Sequence, residues 1–365
     1  MAAVLLLCAA GAPVPRVARP LAPEDIHLDV SPAAKVLALW PRDPLATQLP
    51  RYASAVNRRA ALRLATSAPY RTLRAFQGEQ TRCFMSDEDV QRALLYPESL
   101  VCGISLDPAF RDRAALDSLL TEITARDGPL RKAIAEQAGR YLPARIWKPV
   151  RIWVLLSSRW SFDAVTMSQA GHGEPVVIVN ATEVLGYAGN ARERVHALAH
   201  VLAHEAFHVG VRQMEGSLPG WAGYGSRTRS AFAYVARSML DEGVAHYVDW
   251  RSREGSDTLF TAKPGPRETH AFSQLLLAAK RLWERGGDPG ARTEILQLAS
   301  TGPLWSKYGA ISGMFAAWRI ESRLGGDSLR AAVVRGPADF LRMYGGLAAA
   351  DTSLGRLPEE FAGGK

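Results

Sequence analysis

The sequence has few cysteines, few histidines and no block of basic residues. Only 3 cysteines and 8 histidines occur among 365 residues. After the first fifteen residues, no segment is long and apolar enough to span a bilayer. The net charge of +8 comes from dispersed Lys and Arg residues, so we expect no nucleic-acid partner. A cationic surface of this kind would favour peripheral association with an anionic cell envelope.

The N-terminus lacks charge. Residues 1–15 contain no charged side chain and include the apolar run Ala2–Ala10, which resembles a signal peptide. The pattern is imperfect, because the basic start is missing and Pro13 directly follows the small residues at the expected cleavage site. We therefore predict a signal peptide over residues 1–22 and a secreted or periplasmic protein.

The number of cysteines agrees with a protein that is exported from the cytoplasm. Removal of the leader would also remove Cys8 and leave Cys83 and Cys102. An even pair fits a disulfide in an oxidising compartment. Two buried free thiols are the alternative.

The order of the elements indicates an α+β fold that is predominantly helical. Residues 23–145 are predicted to form a mostly helical N-terminal lobe, with helical patterns at Ala53–Phe76, Asp87–Leu95 and Arg113–Tyr141. Two strands follow at Val150–Leu156 and Val176–Asn180, separated by a loop or a short extra strand over residues 157–173. Later helices are predicted at Thr228–Trp250, His270–Glu284, Tyr308–Leu324 and Asp327–Val334, before a flexible tail at 346–365.

One helix carries the chemistry. It is predicted to begin after the N-cap Asn190 and to end at Glu215. Within it lies the segment His204-Glu205-Ala206-Phe207-His208. Residues four apart share a helix face, so both imidazoles can bind one zinc ion, while Glu205 can reach a zinc-bound water and act as its general base.

A second register of this helix also places two histidines four apart. His196, His200, His204 and His208 form a continuous row, so His200 and His204 could chelate instead. That pair has no glutamate beside it, because Val201 follows His200. We interpret His196 and His200 as packing or supporting residues.

A catalytic zinc site needs a third protein ligand, and the next helix offers three. Glu242 is the preferred ligand, with His246 and Asp241 as alternatives. Gly243 and Ala245 are small enough to let this helix approach the motif helix closely.

The residues Glu242 to Tyr247 resemble the gluzincin metallopeptidases, in which a His-Glu-x-x-His helix is followed by a Glu-Gly-x-Ala-x-Tyr helix. The stretches Tyr308–Ala310 and Gly336–Phe340 also resemble a family of uncharacterised bacterial proteins regarded as zinc-dependent peptidases. The resemblance implies a zincin-like catalytic domain over residues 146–345 with a small sheet. The 33 residues between His208 and Glu242 exceed the usual gluzincin spacing.

The gluzincin resemblance also implies an oxyanion donor and a substrate-binding sheet edge. Tyr247 and Tyr308 are the predicted donors, with His246 and His270 as further candidates. The edge is predicted to be the strand at Pro175–Asn180, which could also be a plain core strand.

Two functions follow from these observations. The first is a zinc metallopeptidase that hydrolyses peptide bonds of a peptide or protein substrate, with a zinc-bound water activated by Glu205. The alternative is a non-catalytic metal-binding or protein-binding envelope protein on a zincin fold. Glu205 favours the enzyme, because a metal carrier has no need of a base at that position.

Overall fold

The computed structural model describes residues 20–41, 54–102, 105–142, 148–157, 162–215, 217–224, 230–358 and 360. Most of the predicted leader, residues 1–19, lies outside this part of the chain. The strands are β1 (Ile26–Asp29), β2 (Val150–Leu155), β3 (Ala164–Ser168) and β4 (Pro175–Asn180). The helices are α1 (Ser31–Leu39), α2 (Ala55–Ala65), α3 (Ala68–Thr81), α4 (Asp87–Leu95), α5 (Asp107–Arg111), α6 (Arg113–Ala125), α7 (Asp127–Gly139), α8 (Ala181–Val184), α9 (Ala191–Glu215), α10 (Ala231–Arg251), α11 (Ser256–Leu259), α12 (Pro266–Arg285), α13 (Pro289–Ser300), α14 (Tyr308–Leu324), α15 (Gly326–Arg335) and α16 (Pro337–Ala350). The predominantly helical α+β architecture is therefore confirmed.

The four strands form one mixed sheet with the order β1-β2-β4-β3. Strands β1, β2 and β4 are parallel, and β3 runs antiparallel to β4. The residues of β4 after Pro175 are all buried, as expected for a strand covered on both faces. The prediction that this strand is a sheet edge was wrong, because β4 pairs with a neighbour on each side. The edge strands are β1 and β3, and β3 lies in the segment predicted as a loop or short strand.

Helix α9 has the predicted bounds. Its first turn is capped by Asn190, whose Oδ1 accepts a hydrogen bond from the backbone N–H of Glu193 at 3.0 Å. Fourteen of its residues are buried, because the sheet, the N-terminal helices and α10 all pack against it. This enclosure holds the motif side chains in fixed positions.

Helix α10 packs between α9 and α14. Gly243 was predicted to let α10 approach the motif helix α9 closely. Instead, Gly243 lies where α10 approaches α14. A Cβ on Gly243 would lie 2.5 Å from Cα of Gly313, and a Cβ on Gly313 would lie 1.8 Å from the carbonyl oxygen of Met239. The two backbones therefore touch at a glycine pair.

The N-terminal part differs from the prediction in two ways. The two long helical patterns are each split, into α2 and α3 and into α6 and α7; Pro69 in the first turn of α3 is one reason. Strand β1 and helix α1 were not predicted. Because β1 pairs with β2 along Ile26–Asp29, the segment assigned to the N-terminal lobe supplies one strand of the sheet.

The C-terminal part is more ordered than predicted. Helices α13 and α16 were not expected, and α16 continues to Ala350 with Ala348 buried. Leu354 is also buried, so the first residues of the predicted tail pack on the fold. Cys83 and Cys102 form a disulfide. No helix within the described residues is long and apolar enough to cross a membrane.

Candidate metal centre

The motif places two imidazoles side by side on α9. Nε2 of His204 lies 3.1 Å from Nε2 of His208, and both rings are largely buried. Two nitrogens that bind one tetrahedral zinc ion at about 2.0–2.1 Å would stand roughly 3.3 Å apart. The spacing of this pair therefore suits one shared metal ion.

Glu242 on α10 completes a group of three side chains that could hold a metal ion. Its Oε2 lies 3.6 Å from Nε2 of His208, and one donor atom from each of His204, His208 and Glu242 lies within 4.8 Å of the others. Two histidines and one glutamate form a donor set that zinc accepts, with a position left for water or substrate. The residues present therefore fit the metal that the sequence implied.

Asp241, an alternative third ligand in the sequence, contacts the opposite side of His208. Its Oδ1 lies 2.6 Å from Nδ1 of His208, and an ionised carboxylate can only accept, so Nδ1 carries the proton. Nε2 is then the nitrogen with a free lone pair. Arg237 holds Asp241 in place, with Nη2 at 3.2 Å from Oδ2, and also pairs with Glu215.

The charges around the triad favour a cation at its centre. Burial opposes protonation of His208, but Asp241 and Glu242 together raise its pKa well above the ordinary value. Burial lowers the pKa of His204 to about 3, which keeps that ring in the neutral form that metals bind. Without a metal, this negative field favours a second proton on His208, at Nε2. A divalent ion bound in place of that proton would be attracted more strongly.

Glu205 lies beside the triad without joining it. Its Oε1 is 4.0 Å from Nε2 of His204, and Thr166 on β3 donates from its hydroxyl to Oε2 at 2.7 Å. Burial raises the pKa of Glu205, while the Thr166 hydrogen bond acts in the opposite direction. Thr166 of β3 thus orients the Glu205 carboxylate, which could accept a proton from a water molecule in the cleft.

The match to known families agrees with this geometry. A family model described as "Putative zinc dependent peptidase (DUF5700)" matches residues 50–353, which is more than half of the chain. The chain belongs to this family. No match was found among curated proteins or among solved structures. The matched range includes α9, α10 and β3, so His204, His208 and Glu242 all lie inside the family region.

The triad opens into a cleft of about 670 Å³, a size typical of a ligand site. His204, Glu205, His208, Glu242 and His246 line it, together with Thr166 and its neighbours on β3. Its other lining residues include Phe76, Phe162, Arg212, Asp249, Arg253 and Lys307. The candidate metal site is therefore reachable from solvent and bordered by the edge strand β3.

The two tyrosines predicted as oxyanion donors lie elsewhere. Tyr308 donates its hydroxyl to the carbonyl oxygen of Ile295 at 2.9 Å. Tyr247 is buried between Tyr141 and Phe260, with ring centroids at 5.8 and 5.4 Å. Neither is among the residues that line the cleft. Both side chains are instead used in packing between helices.

The other four histidines that the sequence analysis considered differ in their distance from the cleft and in their burial. His246 lines the cleft, and its Nε2 is buried without a hydrogen-bond partner within the described structure. His200 is buried against Ser252, with Nδ1 3.1 Å from Oγ, as expected for a packing residue. His196 and His270 are exposed and do not line the cleft.

Thr166 and the supporting role of Asp241 were missed from the sequence. Thr166 lies 39 residues before Glu205, in a short strand that is followed by a turn containing Gly171 and Gly173. Asp241 was considered only as a ligand, although a carboxylate next to the ligand Glu242 is well placed to bind the outer nitrogen of a metal-bound histidine. The adjacency of Asp241 and Glu242 was the feature of the sequence that could have indicated this role.

Proposed function

We propose that this protein is a zinc-dependent hydrolase of peptide bonds. His204, His208 and Glu242 are the zinc ligands in this proposal, and Glu205 is the general base. The observation that carries it is the convergence of these three ligands beside a buried, hydrogen-bonded carboxylate in an open cleft. A metal carrier would need the three ligands but not Glu205.

The residues have separate tasks. Zinc, when bound, polarises the scissile carbonyl and acidifies a water molecule. Glu205 accepts the proton of the attacking water and delivers it to the leaving amine. Thr166 keeps the Glu205 carboxylate turned into the cleft. Asp241 fixes the tautomer and orientation of His208.

The domain is proposed to be of the gluzincin type. The ligand order is a His-Glu-x-x-His helix followed by a glutamate on the next long helix. An extended substrate would lie along β3, which pairs with β4 on one side and lines the cleft with Ala164, Val165 and Thr166. Main-chain hydrogen bonds to an edge strand bind a peptide with little dependence on its sequence.

Export to the periplasm or the medium is part of the proposal. The Cys83–Cys102 disulfide fits an oxidising compartment, and the apolar N-terminal residues fit a leader. Sequencing the N-terminus of the protein recovered from a host's periplasm tests this. A mature chain that begins after about residue 22 is the expected result, and full-length protein confined to the cytoplasm would contradict it.

The activity is tested with the zinc-loaded full chain. We expect one zinc per chain by elemental analysis and cleavage of members of a mixed peptide library, detected by mass spectrometry. A chelator should abolish cleavage, and added zinc should restore it. A chain that binds stoichiometric zinc and cleaves no peptide would support the metal-binding alternative.

A further inference from the structure

The cleft contains a cation without a carboxylate partner. Lys307 lines the cleft and is partly buried, yet no ion pair joins it to a carboxylate within the described residues. Arg253, which lines the same cleft, is already neutralised, because Asp249 accepts two of its hydrogen bonds at 2.8 Å each. Lys307 is therefore available to a ligand in a way that Arg253 is not.

His246 supplies a second unsatisfied group in the same wall. Its side chain is 7% exposed, its ring centroid lies 4.7 Å from that of His204, and its Nε2 has no hydrogen-bond partner. A buried polar atom without a partner costs free energy in the empty protein. A ligand that accepts a hydrogen bond from Nε2 would remove that cost.

Lys307 and His246 both line the cleft that contains His204, His208 and Glu242. Lys307 also directly precedes α14, so the positive N-terminal end of that helix adds to the local potential. These groups make this part of the cleft suited to an anionic ligand, although Glu205 and Glu242 line the same cleft.

We propose that Lys307, with His246 as a second donor, binds a carboxylate of the substrate next to the scissile bond. The inference rests on the proposed function, and it names the substrate class as peptides with a carboxylate close to the cleaved bond. A free C-terminus and an Asp or Glu side chain offer the same chemistry. A charge-assisted hydrogen bond in a partly desolvated cleft is strong enough to select such substrates.

Binding of three peptidyl hydroxamates tests the subsite without relying on turnover. All three carry the same zinc-binding hydroxamate. The first has a free C-terminal carboxylate, the second has a Glu side chain and an amidated C-terminus, and the third has Gln and an amidated C-terminus. Affinities are measured by isothermal titration calorimetry on the zinc-loaded full chain. We expect at least one carboxylate probe to bind about tenfold more tightly than the neutral probe, and the tighter of the two identifies the source of the carboxylate.

Variants assign the preference to Lys307. Lys307→Met should abolish it, and Lys307→Arg should retain most of it because the charge is kept. Arg212→Gln is the matched control, since Arg212 is an exposed cation that lines the same cleft, and its loss should leave the preference unchanged. His246→Ala should reduce the preference by a smaller factor than Lys307→Met. Far-UV circular dichroism and zinc content confirm that each variant folds.

The possible failures are distinguishable. If no hydroxamate binds the zinc-loaded chain, the zinc site of the proposed function fails. If all three bind equally, or if the preference survives in Lys307→Met, the carboxylate subsite is overturned while the zinc site stands. A preference unchanged in His246→Ala would remove His246 from the subsite.

Discussion

Nδ1 of His208 lies 2.6 Å from Oδ1 of Asp241, on the side of the ring that faces away from Glu242. The contact determines which nitrogen of His208 binds metal, because the protonated Nδ1 donates to Asp241 and leaves Nε2 free. Arg237 and His208 hold the pKa of Asp241 below its usual range even though burial opposes this. One carboxylate of α10 thus orients the ring, while its neighbour Glu242 is the proposed third ligand.

Asp241→Ala should weaken zinc binding by about 10–100-fold, as expected when the outer hydrogen-bond partner of a ligating histidine is removed. Competition with a chromogenic chelator measures the affinity. Asp327→Ala is the control, because that side chain is 97% exposed and lies away from the triad on α15. An affinity for zinc that is unchanged in Asp241→Ala would show that the contact does not orient the ligand.

Glu242→Ala should lose zinc more completely, by more than about 100-fold in affinity, because it removes a direct ligand. His246→Ala should keep one zinc per chain, since its ring is not part of the group of three ligand atoms. Measuring the zinc affinity of both variants decides whether Glu242 or His246 is the third ligand. Zinc retained by Glu242→Ala and lost by His246→Ala would reverse the assignment.

Thr166→Val should move the acid limb of the pH profile of kcat/KM to higher pH. The Thr166 hydroxyl stabilises the ionised form of Glu205 and so lowers its pKa. Its loss should raise the pKa of Glu205, so this carboxylate would be ionised, and able to act as a base, only at higher pH. Thr182→Val, which removes a hydroxyl that donates to the carbonyl oxygen of Ser157, should leave the limb in place. A shift toward lower pH in Thr166→Val would contradict this account.

Gly243→Ala should destabilise the fold by about 1–3 kcal/mol, because its Cβ would lie 2.5 Å from the backbone of Gly313. Urea unfolding measures the change in free energy. Gly345→Ala on α16 has open space around the added Cβ and should be neutral or slightly stabilising, as alanine favours a helix. Since Glu242 adjoins Gly243, the first variant should also bind zinc more weakly. Equal stability of the two variants would show that the α10–α14 contact is not tight.

Features that depend on short-range interactions were predictable. The spacing of His204 and His208 follows from helix geometry, and the cap at Asn190 follows from a contact between residues three apart. For the same reason, α9, α14 and strand β2 have their predicted bounds to within one residue. The role of Glu205 as the general base was predicted from its position in the motif and stays a prediction.

Long-range relationships could not be read from the sequence. The position of β4 inside the sheet depends on β3, a five-residue strand that carries no clear alternation. The pairing of Thr166 with Glu205 requires the sheet edge to meet α9. Tyr247 was expected near the metal, but its ring turns toward Tyr141 and α14 because α10 is packed on several sides. The glycine contact at Gly243 faces α14 for the same reason.

The central claim is tested most directly by zinc content and peptide cleavage in Glu205→Gln, compared side by side with the wild type. We predict one zinc per chain in both proteins, because Glu205 is not a ligand, and a rate of peptide cleavage reduced by about 10²–10⁴-fold in the variant. Equal rates of cleavage in the two zinc-loaded proteins would contradict the account.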